Sequence, residues 1–349
     1  MNIAVCGAFT NTQSGIRNFI VETLSLAFHQ HPEHRFILVT NSKTEEHFDL
    51  PANTENKILK APSENWLAKK MWGNVKLDAA VKKINAGLII SLDNTYSSLS
   101  IPTCLLIVDP ENIKASAKKA QALVVMSESA KKKLLEKIKI PAEKVTVIYP
   151  SAGKMYKAIR YEGKEFIRNK YSNGKEFFLY NSNFSNPENF IDLLRSFSHF
   201  KKRQQSSFKL LLTSSSNSFF EKNLASYKYK DDIKFINPSE EHGHAMITAA
   251  AYATMLPFNT TEDIIAALNS MQAAVPVITT KDSAISEVAG DAALYAEKEI
   301  KSIAEKMMLL YTNENYRSEM IERGKKIAAS FTQQKATELL WQSIMKVLP

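Results

Sequence analysis

The residues best suited to chemistry stand at the starts of apolar, helix-like stretches. Thr261, Glu262, Asp263 and Asn269 combine a hydroxyl, two carboxylates and a carboxamide, a set able to hydrogen-bond a hydroxyl-rich ligand. The same residues suit a plain helix start, with Thr261 as cap and acids in the first turn. Asp109 closes an apolar run and precedes Pro110, so it reads either as a hydroxyl-binding carboxylate or as an Asp-Pro turn. Asn181 to Asn189 (NSNFSNPEN) is equally a polar cradle and a run of turn formers. Gly15 opens a helical pattern and offers backbone to an anion or simply enters the helix. His242 and His244 are two apart, on different faces of a helix, which is poor geometry for one metal. CxxC and HExxH spacings are absent.

The elements that must position these groups alternate. Apolar runs at 1–8, 35–40, 86–92, 103–108, 122–126 and 145–149 read as strands, with helical patterns at 14–28, 66–84 and 127–138 between them. Residues 151–175 break this rhythm and read as a linker with a short helix at 165–170. A second series follows, with strands at 177–180, 208–212, 233–236, 253–257 and 275–278. Helices fall at 188–202, 218–227, 240–250 and 262–273, and about three more close the chain. This is the α/β pattern of two Rossmann-like, doubly wound domains facing a cleft, with ligands expected beyond the carboxyl ends of the strands. The expected division is 1–150, a linker at 151–175, 176–330, and a terminal helix at 331–349 crossing back to the first domain.

Composition narrows the function. The chain has 349 residues, is 44% hydrophobic and 23% charged, and has a net charge of +9. That is ordinary globular composition, and no apolar run approaches the length of a bilayer span. No signal peptide is visible. Cys6 and Cys104 each sit in a strand-like apolar run, which favours buried thiols and a reducing, cytoplasmic compartment. Residues 60–150 hold 15 basic against 8 acidic residues. Such a face suits phosphates, but no groove-reading or base-stacking motif accompanies it, so nucleic acid is not expected. The lysine-rich stretch 130–144 reads as a solvated helix face, with docking on anionic lipid as the alternative.

Several segments resemble one family. VPVITTKDSAISEVAGDAAL (275–294) and ALVVMSESAKKKLLEKIKIPAEKVTVIYPS (122–151) are the most specific. SGIRNFI (14–20), SIPTCLLIVDP (100–110) and FFLYNSNFSNPENFIDLLRSF (177–197) follow in the right order. Together they resemble group 1, family 4-like, retaining glycosyltransferases of the GT-B fold. The resemblance implies a nucleotide-sugar donor held by the second domain and an acceptor held by the first. It implies no metal and no cofactor. It places Asp109 and Glu262 as catalytic candidates. Gly15, Ser182, Asn183, Thr213, Ser214, Thr261, Asp263, Ile264 and Asn269 become donor-binding candidates, for ribose, sugar hydroxyls and diphosphate.

The donor motifs are altered. The family's "EGFGLPvLEAM" stands here as TEDIIAALNSM (261–271), with Asn269 at the second glutamate. The family's "rKN" is Pro187-Glu188-Asn189. Arg195 and Lys222 are the candidates to replace the lost cation. Two readings therefore stay open. One is a retaining glycosyltransferase acting on a glycan or lipid-linked acceptor, with peripheral contact at the inner face of a membrane. The other is a catalytically degenerate GT-B protein serving as a binding or scaffold subunit beside a partner glycosyltransferase. A nucleotide-sugar epimerase fits the aligned segments less well.

Overall fold

The computed structural model describes residues 1–7, 14–40, 50–58, 77–92, 100–108, 116–182, 184, 186–213, 217–238, 241–258, 263–281 and 284–348. The described chain divides into two compact units, Met1–Pro150 with Thr332–Pro349, and Ser151–Phe331. No helix among the described residues is long and apolar enough to cross a membrane.

The first unit is built on seven strands: β1 (Asn2–Cys6), β2 (Arg35–Thr40), β3 (Thr54–Ile58), β4 (Leu88–Ser91), β5 (Thr103–Leu106), β6 (Ala122–Val125) and β7 (Val145–Val147). They form one parallel sheet in the order β3-β2-β1-β4-β5-β6-β7. Strands β1, β4, β5 and β6 are almost entirely buried, as a parallel sheet covered on both faces requires. Helices α1 (Ser14–Gln30), α2 (Leu77–Lys83), α3 (Ser116–Lys119) and α4 (Glu128–Lys137) connect them. Ser127 caps α4 by accepting from the Ala130 amide at 3.0 Å.

The second unit repeats the plan. Its strands are β8 (Phe177–Tyr180), β9 (Lys209–Leu212), β10 (Ile233–Phe235), β11 (Ala253–Leu256), β12 (Val277–Thr280) and β13 (Ala293–Ala296), all parallel, in the order β10-β9-β8-β11-β12-β13. Its helices are α5 (Tyr161–Ser172), α6 (Pro187–Gln204), α7 (Ser218–Ala225), α8 (Glu241–Ala250), α9 (Asp263–Gln272), α10 (Ala284–Ala289), α11 (Ile300–Thr312) and α12 (Glu314–Ser330). A phenylalanine-rich core lies on one face of this sheet. Phe178, Phe200 and Phe208 meet at centroid distances of 5.1–5.7 Å, in edge-on or tilted arrangements suited to aromatic pairs. Gly324 lets α12 approach α9, because a Cβ there would lie 3.1 Å from Met271.

The structure adds to the sequence reading and in one place corrects it. Strand β3 was not foreseen: TENKI is polar, and the ladder to β2 at the sheet edge makes it a strand. Strand β13 was not foreseen either, since four residues after a glycine give too little period to read. Residues 151–175, expected as a linker, belong to the second unit, and the short helix at 165–170 is the longer α5, seated by buried Ile167. Of the helix expected at 66–84, α2 is the described part, and 59–76 lie outside the described residues.

The last helix, α13 (Gln333–Met345), packs on α1 and β6 of the first unit. Gln333 donates to Thr23 Oγ1 at 2.5 Å, and Trp341 stacks on His31 at 3.6 Å. Leu340 is 2% exposed and faces Phe19, Ile20 and Val124. Truncation of Leu340 to alanine is expected to destabilise the first unit by about 2–5 kcal/mol, read by denaturant unfolding. At the end of α9, Ala274 adopts φ +61°, where its Cβ crowds the next carbonyl. Ala274→Gly is expected to stabilise the second unit by up to about 1 kcal/mol in the same assay.

Candidate functional site

In the second unit the strand order reverses direction between β8 and β11, the switch point beyond which doubly wound sheets hold their ligands. Two sequence candidates meet there. Ser182 follows β8, Asp263 opens α9 after β11, and the Ser182 hydroxyl donates to Asp263 Oδ1 at 2.6 Å. Asp263 is only 3% exposed, and its charge sits where a helix N-terminus favours an anion. Tyr180, the last residue of β8, is held beside this pair. Burial, then the Asp263 charge, push its phenol well above the usual range, while a hydrogen bond with Ser182 opposes them.

A third strand end joins the same edge. Thr213 follows β9, and its hydroxyl donates to Asn181 Oδ1 at 2.9 Å. Its amide donates to the Tyr180 carbonyl at 3.1 Å. Thr213, Asn181, Ser182 and Asp263 thus link the ends of β8, β9 and β11 in one polar rim. Phe184 anchors the loop after β8, stacked on Tyr180 at 4.4 Å. Phe184 is therefore held by an aromatic contact, in a stretch that the sequence marks only by its turn-forming residues.

Other candidates lie elsewhere. Ile264 is fully buried core in α9. Asn269, two turns further along α9, is 4% exposed and accepts the Gly153 amide at 2.8 Å. Gln272 donates to the carbonyls of Gly153 and Tyr156 at 3.1 and 2.7 Å, so α9 pins the segment that leads into α5. Asn269 also hydrogen-bonds the Tyr156 phenol. That phenol is pushed up to about 12 by burial, with the Glu241 charge adding and the Asn269 bond opposing. Gly15 is the second residue of α1 in the first unit. Asp109, Asn183, Ser214, Thr261 and Glu262 lie outside the described residues.

The altered cation position is a well-formed helix start. Asn186 accepts the Glu188 amide at 3.0 Å, Pro187 occupies the first turn, and Glu188 adds the favoured acid. Arg195 is 64% exposed and pairs with Asp192 at 3.7 Å, two turns beyond that start. Lys222 is exposed in the last turn of α7. His244 is partly buried and hydrogen-bonds the Pro238 backbone, and burial holds its pKa below the usual value. Among the described residues no cluster of His, Cys, Asp and Glu could hold a metal ion.

Tyr180, Tyr156, Gly153, Glu241 and Gln272 were not singled out in the sequence, whereas Asn181 was named there as the start of a polar cradle. Glu241 opens α8, after the end of a strand that the pattern marks. Tyr156 and Gln272 carry no sequence signal, because their roles arise from α9 lying against a distant segment. Replacing Ser182 by alanine withdraws a donor from a buried carboxylate. The expected loss is about 1–3 kcal/mol of second-unit stability, measured by urea unfolding.

Residues 163–327 match the family model described as glycosyl transferases group 1. No curated protein matches the chain in sequence. Solved structures do. A glycosyltransferase from Rickettsia africae is 15% identical, with a TM-score of 0.76 over 99% of this chain and 98% of its own. WaaG, a glycosyltransferase involved in lipopolysaccharide biosynthesis, is 12% identical with a TM-score of 0.73, covering 97% and 98%. HepE of Anabaena, in complex with UDP and glucose, is 11% identical with a TM-score of 0.73, covering 99% of each chain. Identities this low speak for the fold, and the family match speaks for the second unit. Residues 163–327 are thus similar to the group 1 glycosyltransferase family, in a chain whose fold is that of the GT-B structures it matches.

Proposed function

We propose that this protein transfers a sugar from a nucleotide-sugar donor, with retention at the anomeric carbon, to a glycan or lipid-linked acceptor. The observation that carries the reading is the polar rim at the ends of β8, β9 and β11, within the segment that matches the group 1 family. The donor belongs at this rim in the second unit. The rim supplies a serine hydroxyl, a threonine hydroxyl, a carboxamide and a buried carboxylate, all suited to sugar hydroxyls. In the transfer, the bond from the anomeric carbon to the diphosphate oxygen breaks and the bond to the acceptor oxygen forms. The acceptor proton passes to the departing diphosphate, so no side-chain base is required. Catalysis then rests on positioning and on charge stabilisation. Neither a metal ion nor a cofactor enters this scheme.

The HepE complex holds UDP, which makes a uridine diphosphate sugar the first donor to test. WaaG acts in lipopolysaccharide biosynthesis, which supports a glycolipid acceptor met in the cytoplasm at the inner face of a membrane. The second reading, a degenerate binding subunit paired with an active glycosyltransferase, is favoured by one feature. Carboxylates stand at two helix starts, Asp263 and Glu188, where the resemblance implies approach of a diphosphate. Two unit charges of like sign 4 Å apart repel by about 4 kcal/mol at an effective dielectric of 20.

A thermal-shift panel of nucleoside diphosphates and nucleotide sugars separates the two. A ligand at 100 times its dissociation constant adds about 2.7 kcal/mol of stability. The expected result is a clear shift with one nucleotide series, followed by release of that diphosphate when acceptor is added. Absence of any shift would remove the donor and leave the binding-subunit reading.

A further inference from the structure

The last turns of α6 and the first turns of α11 frame a recess of about 380 Å³ in the second unit. His199, Lys202 and Arg203 line it from α6. Lys301 and Glu305 line it from α11. All five are exposed. The floor is apolar: Ala304 is 1% and Met308 9% exposed, and both belong to the phenylalanine-rich core. The volume is that of a small-molecule site. The recess is separate from the polar rim. His199 and Arg203 stand 12 and 16 residues beyond Pro187, which is about 18–24 Å of helix from the start of α6.

The bases around this recess differ from their neighbours. Elsewhere on α6, Arg195 pairs with Asp192, and the buried Lys201 pairs with Asp232 at 2.8 Å. Among the described residues, no hydrogen bond or ion pair engages His199, Lys202, Arg203, Lys301 or Glu305. Lys301 and Glu305 are one helical turn apart, yet a lysine on the amino-terminal side of its glutamate is the weaker order for such a pair. Helix ends account for Lys202 and Arg203, since a last turn favours cations. They do not account for Lys301, the second residue of α11, where an acid is favoured.

The charge has a definite size. Lys202, Arg203 and Lys301 carry three positive charges against one negative charge on Glu305, an excess of 3 − 1 = 2 before any contribution from His199. A phosphate monoester carries about −1.5 to −2 near pH 7, so one such group balances the recess. A guanidinium grips two phosphate oxygens in parallel, and each ammonium adds a point charge. Glu305 accepts from a hydroxyl, and Ala304 and Met308 offer carbon surface to the organic part.

We propose that this recess is a second ligand site, which binds the phosphate monoester of a small hydroxylated molecule, either free or as a lipid headgroup. The proposal does not depend on the nucleotide-sugar reading, because none of its residues belongs to the polar rim.

The test titrates the full chain calorimetrically with glycerol 3-phosphate, with inorganic phosphate and glycerol beside it. One saturable site is expected for glycerol 3-phosphate, weaker binding for inorganic phosphate and none for glycerol. Lys202→Gln, Arg203→Gln and Lys301→Gln, each at an unchanged melting temperature, are expected to weaken binding by about threefold or more. That is the value of one unit charge about 6 Å from a dianion in salt-screened water. Glu305→Gln is expected to tighten inorganic phosphate by a similar factor, a change of sign that a merely structural role would not produce. Lys325→Gln, which removes a charge from the exposed face of α12, is expected to leave binding unchanged. Vesicles of phosphatidylcholine with phosphatidic acid separate the two sources. Retention on them that Lys301→Gln abolishes assigns the site to a lipid headgroup, and soluble binding without retention assigns it to a free ester. A chain that neither binds the soluble phosphates nor is retained on the vesicles overturns the proposal. Binding that the three cation variants and Glu305→Gln all leave unchanged overturns it too. Should one cation variant fail to fold, the other two and Glu305→Gln are read in the same titration.

Discussion

A fully parallel sheet governs everything else in this protein. Parallel neighbours cannot be joined by a tight hairpin, so each strand must be returned by a crossover, here usually a helix. That requirement covers both faces of each sheet and explains why β4, β5, β6, β8 and β11 are buried at every residue. It also sends every strand's carboxyl end to the same edge. In the second unit, polar residues from three separate strand ends therefore converge without being near each other in sequence. Ser182 and Asp263 are 81 residues apart and share a 2.6 Å hydrogen bond for this reason.

The site built on that edge trades one kind of electrostatics for another. A helix N-terminus with free amides is an anion site. Here α9 begins with its own buried carboxylate, and α6 begins with a capping asparagine, a proline and a glutamate. These choices satisfy the helix ends locally. They also move the chemistry of the rim towards hydrogen bonding with hydroxyls. Further along α9, Asn269 and Gln272 spend their amides on the backbone of 153–156, which ties the start of the second unit to the helix that carries Asp263.

Much of this was legible in the sequence. The alternation of apolar runs and helical patterns showed two α/β halves, because buried parallel strands are continuous apolar stretches such as FFLY and LIIS. Ser182, Thr213 and Asp263 were legible because the strand ends mark their loops. The limits were physical too. TENKI is a strand by virtue of its ladder to β2, and its own residues show no apolar period. ALYA is too short to show one. Residues 151–175 lack rhythm, yet α5 forms there and is seated against α8, a contact that no local pattern encodes.

The sequence by itself determined the layer architecture and the local helix caps at Ser127, Asn186 and Asn217. Those features depend on residues a few positions apart, where propensity and hydrophobic period act. Only the tertiary structure decided which distant side chains meet. It placed Ser182 on Asp263, gave Asn269 to Gly153, and brought Glu241 over that same glycine. Each pairing joins segments between about 80 and 120 residues apart, and it is the stacking of α8 and α9 on a parallel sheet that sets their distance.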